Sequence, residues 1–174
     1  MISKEMQDAL NGQINAEGYS SYLYLAMSAY LHSINLRGFA HWMRVQTQEE
    51  LGHSIKIYDY VNGRGGRPVL KQIEAPPSDW KSPLEVFEAA YGHECMITGL
   101  INTLVDKAIS EGDHATNVFL QWFVTEQVEE EATADDVVQK LRMVGDSPGE
   151  LLILDRELAG RQVGAAADPA STQG

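Results

Sequence analysis

Four long stretches of this chain place side chains on lines that step alternately by three and four residues, the period of a helix that buries one stripe. The first line is Leu10, Ile14, Glu17, Ser21, Tyr24, Ser28 and Leu31. The second is Phe39, Met43, Gln46, Glu50, His53, Ile57 and Tyr60. The third is Leu84, Phe87, Tyr91, Glu94, Thr98, Ile101, Val105 and Ala108, and the fourth Leu120, Phe123, Gln127, Glu130, Ala134, Val137 and Leu141. A chain written this way reads as almost all helix.

Start and stop signals set the boundaries. Ser3 can cap a first helix running to about Leu31, and Asn35 a second that ends near Asn62 and Gly63. "SPLE" at 82–85 has Ser at the cap, Pro at the first helical position and Glu three after the Ser, and opens a third helix to about Ser110. Asp113 can cap a fourth helix that stops before Gly145. "SPGE" at 147–150 repeats the signal and opens a short fifth helix through about Gly160. The expected unit is 1–160; for 161–174, small and polar at its end, a disordered tail is expected.

Each long helix spans roughly 42 Å. Short breaks after the first and third make antiparallel hairpins. The Gly- and Pro-rich connection "GRGGRPVLKQIEAPPSDWK" is too long for an ordinary loop. Extended, it reaches about 60 Å, enough to run the length of a bundle and set the third helix parallel to the second. The expected fold is therefore all-α: an antiparallel four-helix bundle with one long crossover between helices two and three, plus a short fifth C-terminal helix.

Each apolar line is interrupted by polar residues near the middle of its helix: Glu17; Glu50 with His53; Glu94; Gln127 with Glu130. Helices packed side by side bring their midpoints to one level, so these six residues should meet in one layer. Four carboxylates buried together repel one another unless they are protonated or a cation compensates them. Two divalent ions balance them by formal charge, and a set of carboxylate, imidazole and amide oxygen suits iron or manganese. Two plainer readings are a surface misassigned to the core and a structural polar network without metal. Four coincident interruptions weigh against the first, and the lack of basic partners against the second.

The net charge of −12, from 13 basic and 25 acidic side chains among 174 residues, argues against non-specific nucleic-acid binding. The single cysteine, Cys95, suits a reducing compartment. No signal peptide or membrane span is expected, so the expected location is the cytoplasm.

The residues now assembled resemble the ferritin family, most closely the bacterial non-haem ferritins, over about 1–160. The motif is Glu17 alone, "EELGH" with Glu50 and His53, Glu94, and "EQVEE" with Gln127 and Glu130. Ferritin-like di-iron bundles are a known case of this architecture. The resemblance implies iron storage and detoxification, with a ferroxidase centre inside each subunit. Glu17, Glu50 and His53 would hold one iron and Glu50, Glu94 and Glu130 the other, with Gln127 orienting bound oxygen or water. Two Fe(II) would reduce O2 or peroxide, pass through a bridged diferric state and yield a ferric mineral inside a homo-oligomeric shell of twenty-four subunits. Tyr24 matches the family's tyrosine beside the centre, as electron donor, as hydrogen-bond donor or as a core aromatic. Trp122 can also donate an electron, though packing is its plainer role. Glu49, Glu126 and Glu129, with Glu130 shared, would form a third iron site; spacing alone reads them as a solvated acidic face.

Departures narrow the resemblance. Bacterioferritins and di-iron oxygenases carry a second Glu-x-x-His on the fourth helix, where this chain has Gln127-Val128-Glu129-Glu130. A haem-ligating methionine of bacterioferritins is matched by Gly52, so no haem is expected. The stretch "DHATNVFL" carries Leu120 where ferritins often line an entry channel with carboxylates. His32, His41 and His93 fall off the lines and are expected to face solvent; Cys95 is expected to be a small packed side chain. Leu151, Leu152, Leu154 and Leu158 look hard to bury in a monomer, which hints at assembly. The rival function is a di-iron peroxidase or oxidase of rubrerythrin or bacterioferritin type without a main storage role. A shell subunit lacking ferroxidase chemistry would lose the carboxylates that this chain keeps.

Overall fold

In the computed structural model, which describes residues 1–145 and 147–164, three helices begin where the side chain at the cap position accepts from a free N–H group. Ser3 Oγ accepts from Met6 N at 2.9 Å at the start of α1 (Lys4–Ser33). Ser82 Oγ accepts from Glu85 N at 3.1 Å at the start of α3 (Pro83–Ser110). Asp113 Oδ1 accepts from Thr116 N at 3.1 Å at the start of α4 (His114–Val144). Caps of this kind contribute about 1 kcal/mol each. A short α5 spans Pro148–Leu158, ending before the expected Gly160, and Ser147 makes no side-chain capping bond there.

The start of α2 (Arg37–Gly63) departs from expectation. Asn35 is not its cap: it takes a left-handed conformation, φ 64°, in the turn that closes α1, and Leu36 stands at the cap position without a side-chain bond. The capping carboxylate comes instead from α5. Asp155 Oδ1 accepts from Gly38 N at 2.8 Å and Phe39 N at 3.0 Å. A Cβ on residue 38 would lie 1.6 Å from the Asp155 carbonyl oxygen, so glycine there is what lets α5 lie against α2.

Cross-helix contacts fix the topology. Ser28 Oγ donates to Ala40 O, Ser21 Oγ to Thr47 O and Ser54 Oγ to Ile14 O, at 2.8, 2.9 and 3.1 Å, so α1 and α2 run antiparallel. Gln127 reaches Glu94, and Arg142 reaches Glu88, so α3 and α4 do the same. The crossover follows α1 from its first turns to its last. Arg67 N donates to Gln7 Oε1, Val69 N donates to Asn11 Oδ1, Ile73 lies on Gly18, and the Trp80 ring meets Tyr30 at 5.5 Å. It thereby delivers α3 parallel to α2. Five helices and no strand make up the described residues, as expected.

Buried apolar residues form two clusters, one at each end of the bundle. One gathers Tyr24, Met27, Leu31, Phe39, Met43, Phe87, Val137 and Leu141, among others. The other gathers Met6, Leu10, Ile14, Ile57, Ile101, Leu120 and Phe123, among others. Leu154 and Leu158 belong to the first cluster. Of the four leucines expected to be hard to bury in a monomer, these two are buried and Leu151 packs against the same cluster, because α5 folds back onto its own bundle. Leu152 and Ile153 on the other face of α5 stay exposed. Among the described residues no helix is long and apolar enough to cross a membrane.

Candidate metal centre

Between the two apolar clusters lies a polar layer. Relative exposure is 1% for Glu17 and Glu50, 2% for Glu94, 3% for His53 and Gln127, and 8% for Glu130, so no member of the layer has water enough to solvate a charge. The four long helices each contribute at their midpoints, as the aligned interruptions predict. Two groups of ligand atoms converge: Glu17, Glu50 and His53, and Glu50, Glu94 and Glu130. Within each group the ligand atoms lie within 4.8 Å of one another, and Glu50 belongs to both.

The two Glu50 oxygens face different neighbours. Oε2 lies 3.4 Å from His53 Nδ1, while Oε1 accepts from Gln46 Nε2 at 3.1 Å. The same Gln46 amide donates to Glu130 Oε1 at 2.9 Å. Glu17 Oε1 accepts from Gln13 Nε2 at 2.9 Å. The Tyr24 hydroxyl donates to Glu94 Oε1, and Gln127 Nε2 lies 3.3 Å from Glu94 Oε2. Two carboxylate oxygens, Glu17 Oε2 and Glu130 Oε2, are buried with no hydrogen-bond partner. A buried acceptor left unpaired is costly, and one such oxygen sits on a residue of each ligand group.

Electrostatics agree with the geometry. Burial, with Glu94 and Glu17 close by, pushes the Glu50 carboxyl well above the usual carboxylate range. Burial, with Glu50 and Glu94 close by, does the same to Glu130. Burial pushes Glu94 up to about 7, against the pull of its bonds from Tyr24 and Gln127. Burial and the neighbouring carboxylates push the Tyr24 phenol up as well. Glu50, Glu94 and Glu130 therefore hold protons more tightly than solvated carboxylates do, and a divalent cation would compete with those protons.

The residues expected in a third site are placed differently. Among the described residues, Glu49, Glu126 and Glu129 do not fall within common ligand reach. Glu49 is taken by the segment after α5: Oε2 accepts from Arg161 Nη2 at 2.7 Å and Oε1 from Gly164 N at 2.8 Å. Glu126 is raised by burial, with Glu129 and Glu49 adding to it, and Glu129 is exposed. Where a disordered tail was expected from 161, the structure gives Arg161 contacts with Trp42, Gln46 and Glu49. Residues 165–174 lie outside the described residues.

Two expectations off the lines are corrected. His93 does not face solvent: it is buried beside the layer, its Nε2 2.7 Å from Ser20 Oγ, and burial lowers its pKa to about 4. Cys95 is exposed, not packed. His32 and His41 are exposed, as expected. Trp122 meets the His53 ring edge-on at 5.4 Å and carries Lys56 Nζ over its face at 3.9 Å. Sequence reading passed over Gln13 and Gln46 as partners of the carboxylates. Gln46 stood on the second line and is the polar residue there that drew no role.

Comparison with known proteins gives a consistent result. Residues 7–144 match the family profile Ferritin, described as a ferritin-like domain. The bacterial non-heme ferritin of Bacteroides fragilis is 47% identical over 161 residues, covering 92% of this chain and 100% of that protein. The bacterial non-heme ferritin of Campylobacter jejuni is 38% identical, covering 90% and 93%. Among solved structures, the Archaeoglobus fulgidus ferritin described as a novel open pore ferritin superposes with a TM-score of 0.92 at 56% identity, covering 93% of this chain and 99% of that one. A closed form of that ferritin, engineered by site-directed mutagenesis, superposes at 0.93 with 55% identity, covering 94% and 100%.

Proposed function

Because this chain belongs to the ferritin family, whose function is iron storage, we propose that it oxidises the iron it stores at the buried carboxylate–histidine layer. Glu17, Glu50 and His53 hold one Fe(II), and Glu50, Glu94 and Glu130 hold the other. Glu50, a member of both groups, would be shared between the two ions. Each Fe(II) gives up one electron, and the two together reduce O2 with two protons to hydrogen peroxide, or peroxide to water. The two protons come from solvent, because those on the buried carboxyl groups leave when the cations bind. The Tyr24 hydroxyl and Gln127 amide fix the plane of Glu94 through their bonds to its two oxygens. The observation that carries the reading is the pair of ligand groups sharing Glu50, each with one unpartnered buried oxygen.

Anaerobic loading with Fe(II) followed by air should give a fast oxidation phase of about two irons per chain, the stoichiometry of a di-iron bundle. A Glu94→Ala or His53→Ala chain that keeps the full fast phase removes the assignment. The ferric product is stored inside a homo-oligomeric shell of twenty-four copies, with the exposed Leu152 and Ile153 face of α5 among its contacts. Light scattering should show a large hollow assembly; a stable monomer or dimer removes storage. The location we assign is the cytoplasm, where the exposed thiol of Cys95 stays reduced.

We assign a third iron to Glu49, Glu126, Glu129 and Glu130. It is supported by Glu126, whose carboxyl is raised by burial with the Glu129 and Glu49 carboxylates adding to the effect. An ion there must take Glu49 from Arg161 and from the Gly164 amide, so its uptake follows that of the first two. Its measure is a slower third equivalent that disappears in Glu126→Ala.

A further inference from the structure

After α5 the chain returns along α2 as a short strap. His41 Nε2 lies 2.8 Å from Arg161 O, and Arg161 packs its guanidinium over the Trp42 ring at 4.0 Å. The guanidinium then reaches inward. Nη2 donates to Gln46 Oε1 at 2.8 Å and to Glu49 Oε2 at 2.7 Å, and Nη1 to Trp42 O at 3.4 Å. This is a largely buried cation held by four different groups, which is not how a chain end behaves by default.

Its bond to Gln46 has a directional consequence. A glutamine amide has one accepting end and one donating end. Arg161 is donor-only, so it claims the oxygen and forces the NH2 end toward the carboxylates. Gln46 Nε2 then donates to Glu50 Oε1 and to Glu130 Oε1. Both carboxylates belong to the ligand group of Glu50, Glu94 and Glu130, and Glu130 belongs to that group alone. The other Glu50 oxygen faces His53, and among the described residues the Gln46 amide is hydrogen-bonded to neither Glu17 nor His53. If the Arg161 side chain is removed, either end of the Gln46 amide can face the carboxylates.

We propose that Arg161 is a positioning residue for one half of the metal centre: it fixes the Gln46 amide, and through it holds Glu50 and Glu130 ready for the ion on the Glu94 side. The proposal rests on the reading of the layer as a metal centre. It makes the segment after α5 part of the centre's supporting shell, and it makes the two metal positions unequal in what they depend on.

The test is an anaerobic titration of the metal-free shell with Co(II), followed by absorption and calorimetry, so that no turnover is needed. The wild-type chain should bind two Co(II) in resolvable steps. Arg161→Ala should weaken one step by about tenfold, the lower end of what loss of a supporting partner does to a metal site, and leave the other unchanged. In a His53→Ala background the surviving step should be the one that Arg161→Ala weakens. Gln46→Ala should give the same loss, and the double variant no more than Gln46→Ala alone, because the two act in series. Helicity and assembly are checked first; if Arg161→Ala fails that check, Arg161→Gln replaces it with the same expected loss. Equal weakening of both steps, or losses that add in the double variant, mark a mere structural strut and overturn the proposal. Unchanged steps in Arg161→Ala overturn it too. A wild-type chain that binds no pair of Co(II) ions brings down the metal-centre reading, and this proposal with it.

Discussion

Phe87 and Glu94 lie two turns apart on one face of α3, and both are out of water. Phe87 is met by the rings of Phe39 at 5.7 Å and Trp42 at 5.0 Å, edge to face. Glu94 is met by the carboxyls of Glu50 and Glu130, a phenol and an amide. The first residue stabilises the fold by being buried. The second is buried at a cost that falls only when it binds a proton or a cation. The ends of the bundle therefore carry stability for the middle, and the middle sets its charge against that stability for function. Substitutions at the ends and in the middle should differ in sign.

The largest expected effect is at an end. Phe87→Ala should cost about 3–5 kcal/mol in chemical denaturation, with and without metal. A loss under about 1 kcal/mol would mean that the apolar ends are not what holds the bundle.

The pH dependence of the metal-free chain is next. Glu94 sits near 7 in the fold and near 4.5 unfolded. A folded value raised this way gives stability that is fully present below the unfolded value and is lost as pH rises through the folded one. Glu50 and Glu130 are raised as well and act in the same direction. His93 works the other way: its folded value near 4 lies below its ordinary 6.5, so its contribution is lost as pH falls from 6.5 toward 4. The window that isolates the layer is therefore above 6.5. In chelator, stability should fall from pH 6.5 to 8, by about 1 kcal/mol through Glu94 alone and further through Glu50 and Glu130, and a saturating divalent ion should reverse the trend. A chelated chain that gains stability over that interval contradicts the account of the middle.

Third in size is Glu17→Gln. Glu17 Oε2 has no partner, and Glu50 lies within ligand reach of it. An isosteric amide removes one carboxyl group from the cluster and offers Glu50 a donor, while Gln13 still donates to the remaining oxygen. The metal-free variant should be about 1–2 kcal/mol more stable and should lose the metal position shared with His53. A destabilised metal-free variant would erase the difference in sign between middle and ends.

That difference was legible in the sequence, because a helix repeats its buried stripe and any polar residue on that stripe shows as an interruption. Glu17, Glu50, His53, Glu94, Gln127 and Glu130 were visible for this reason. The stripe was drawn too narrow, however. A bundle helix buries a face wider than one alternating line, so His93, one residue before Glu94, turns toward Ser20, while Cys95, one residue after it, turns outward. What no local pattern carries is a partner distant along the chain. Asp155 caps α2 in place of Asn35, and Arg161 grips Gln46 and Glu49, from a segment with no period of its own. Both depend on α5 folding back along α2, a close approach that the glycine at 38 permits.

The smallest effect sits on the boundary between the two regions. Trp122 packs with the apolar cluster of Leu10 and Phe123, meets His53 of the polar layer edge-on, and carries Lys56 on its outer face. A cation over an indole contributes about 0.5–1 kcal/mol at a site open to water. Lys56→Gln should remove that much and no more, equally in metal-free and metal-loaded protein, and should leave the fast oxidation phase at wild-type rate. That outcome places Trp122 with the apolar end, as packing. A faster oxidation phase in Lys56→Gln would place it with the middle instead. The cation over its face opposes loss of an electron from the ring, so only a tryptophan that donates electrons to the centre would speed up when the cation is taken away.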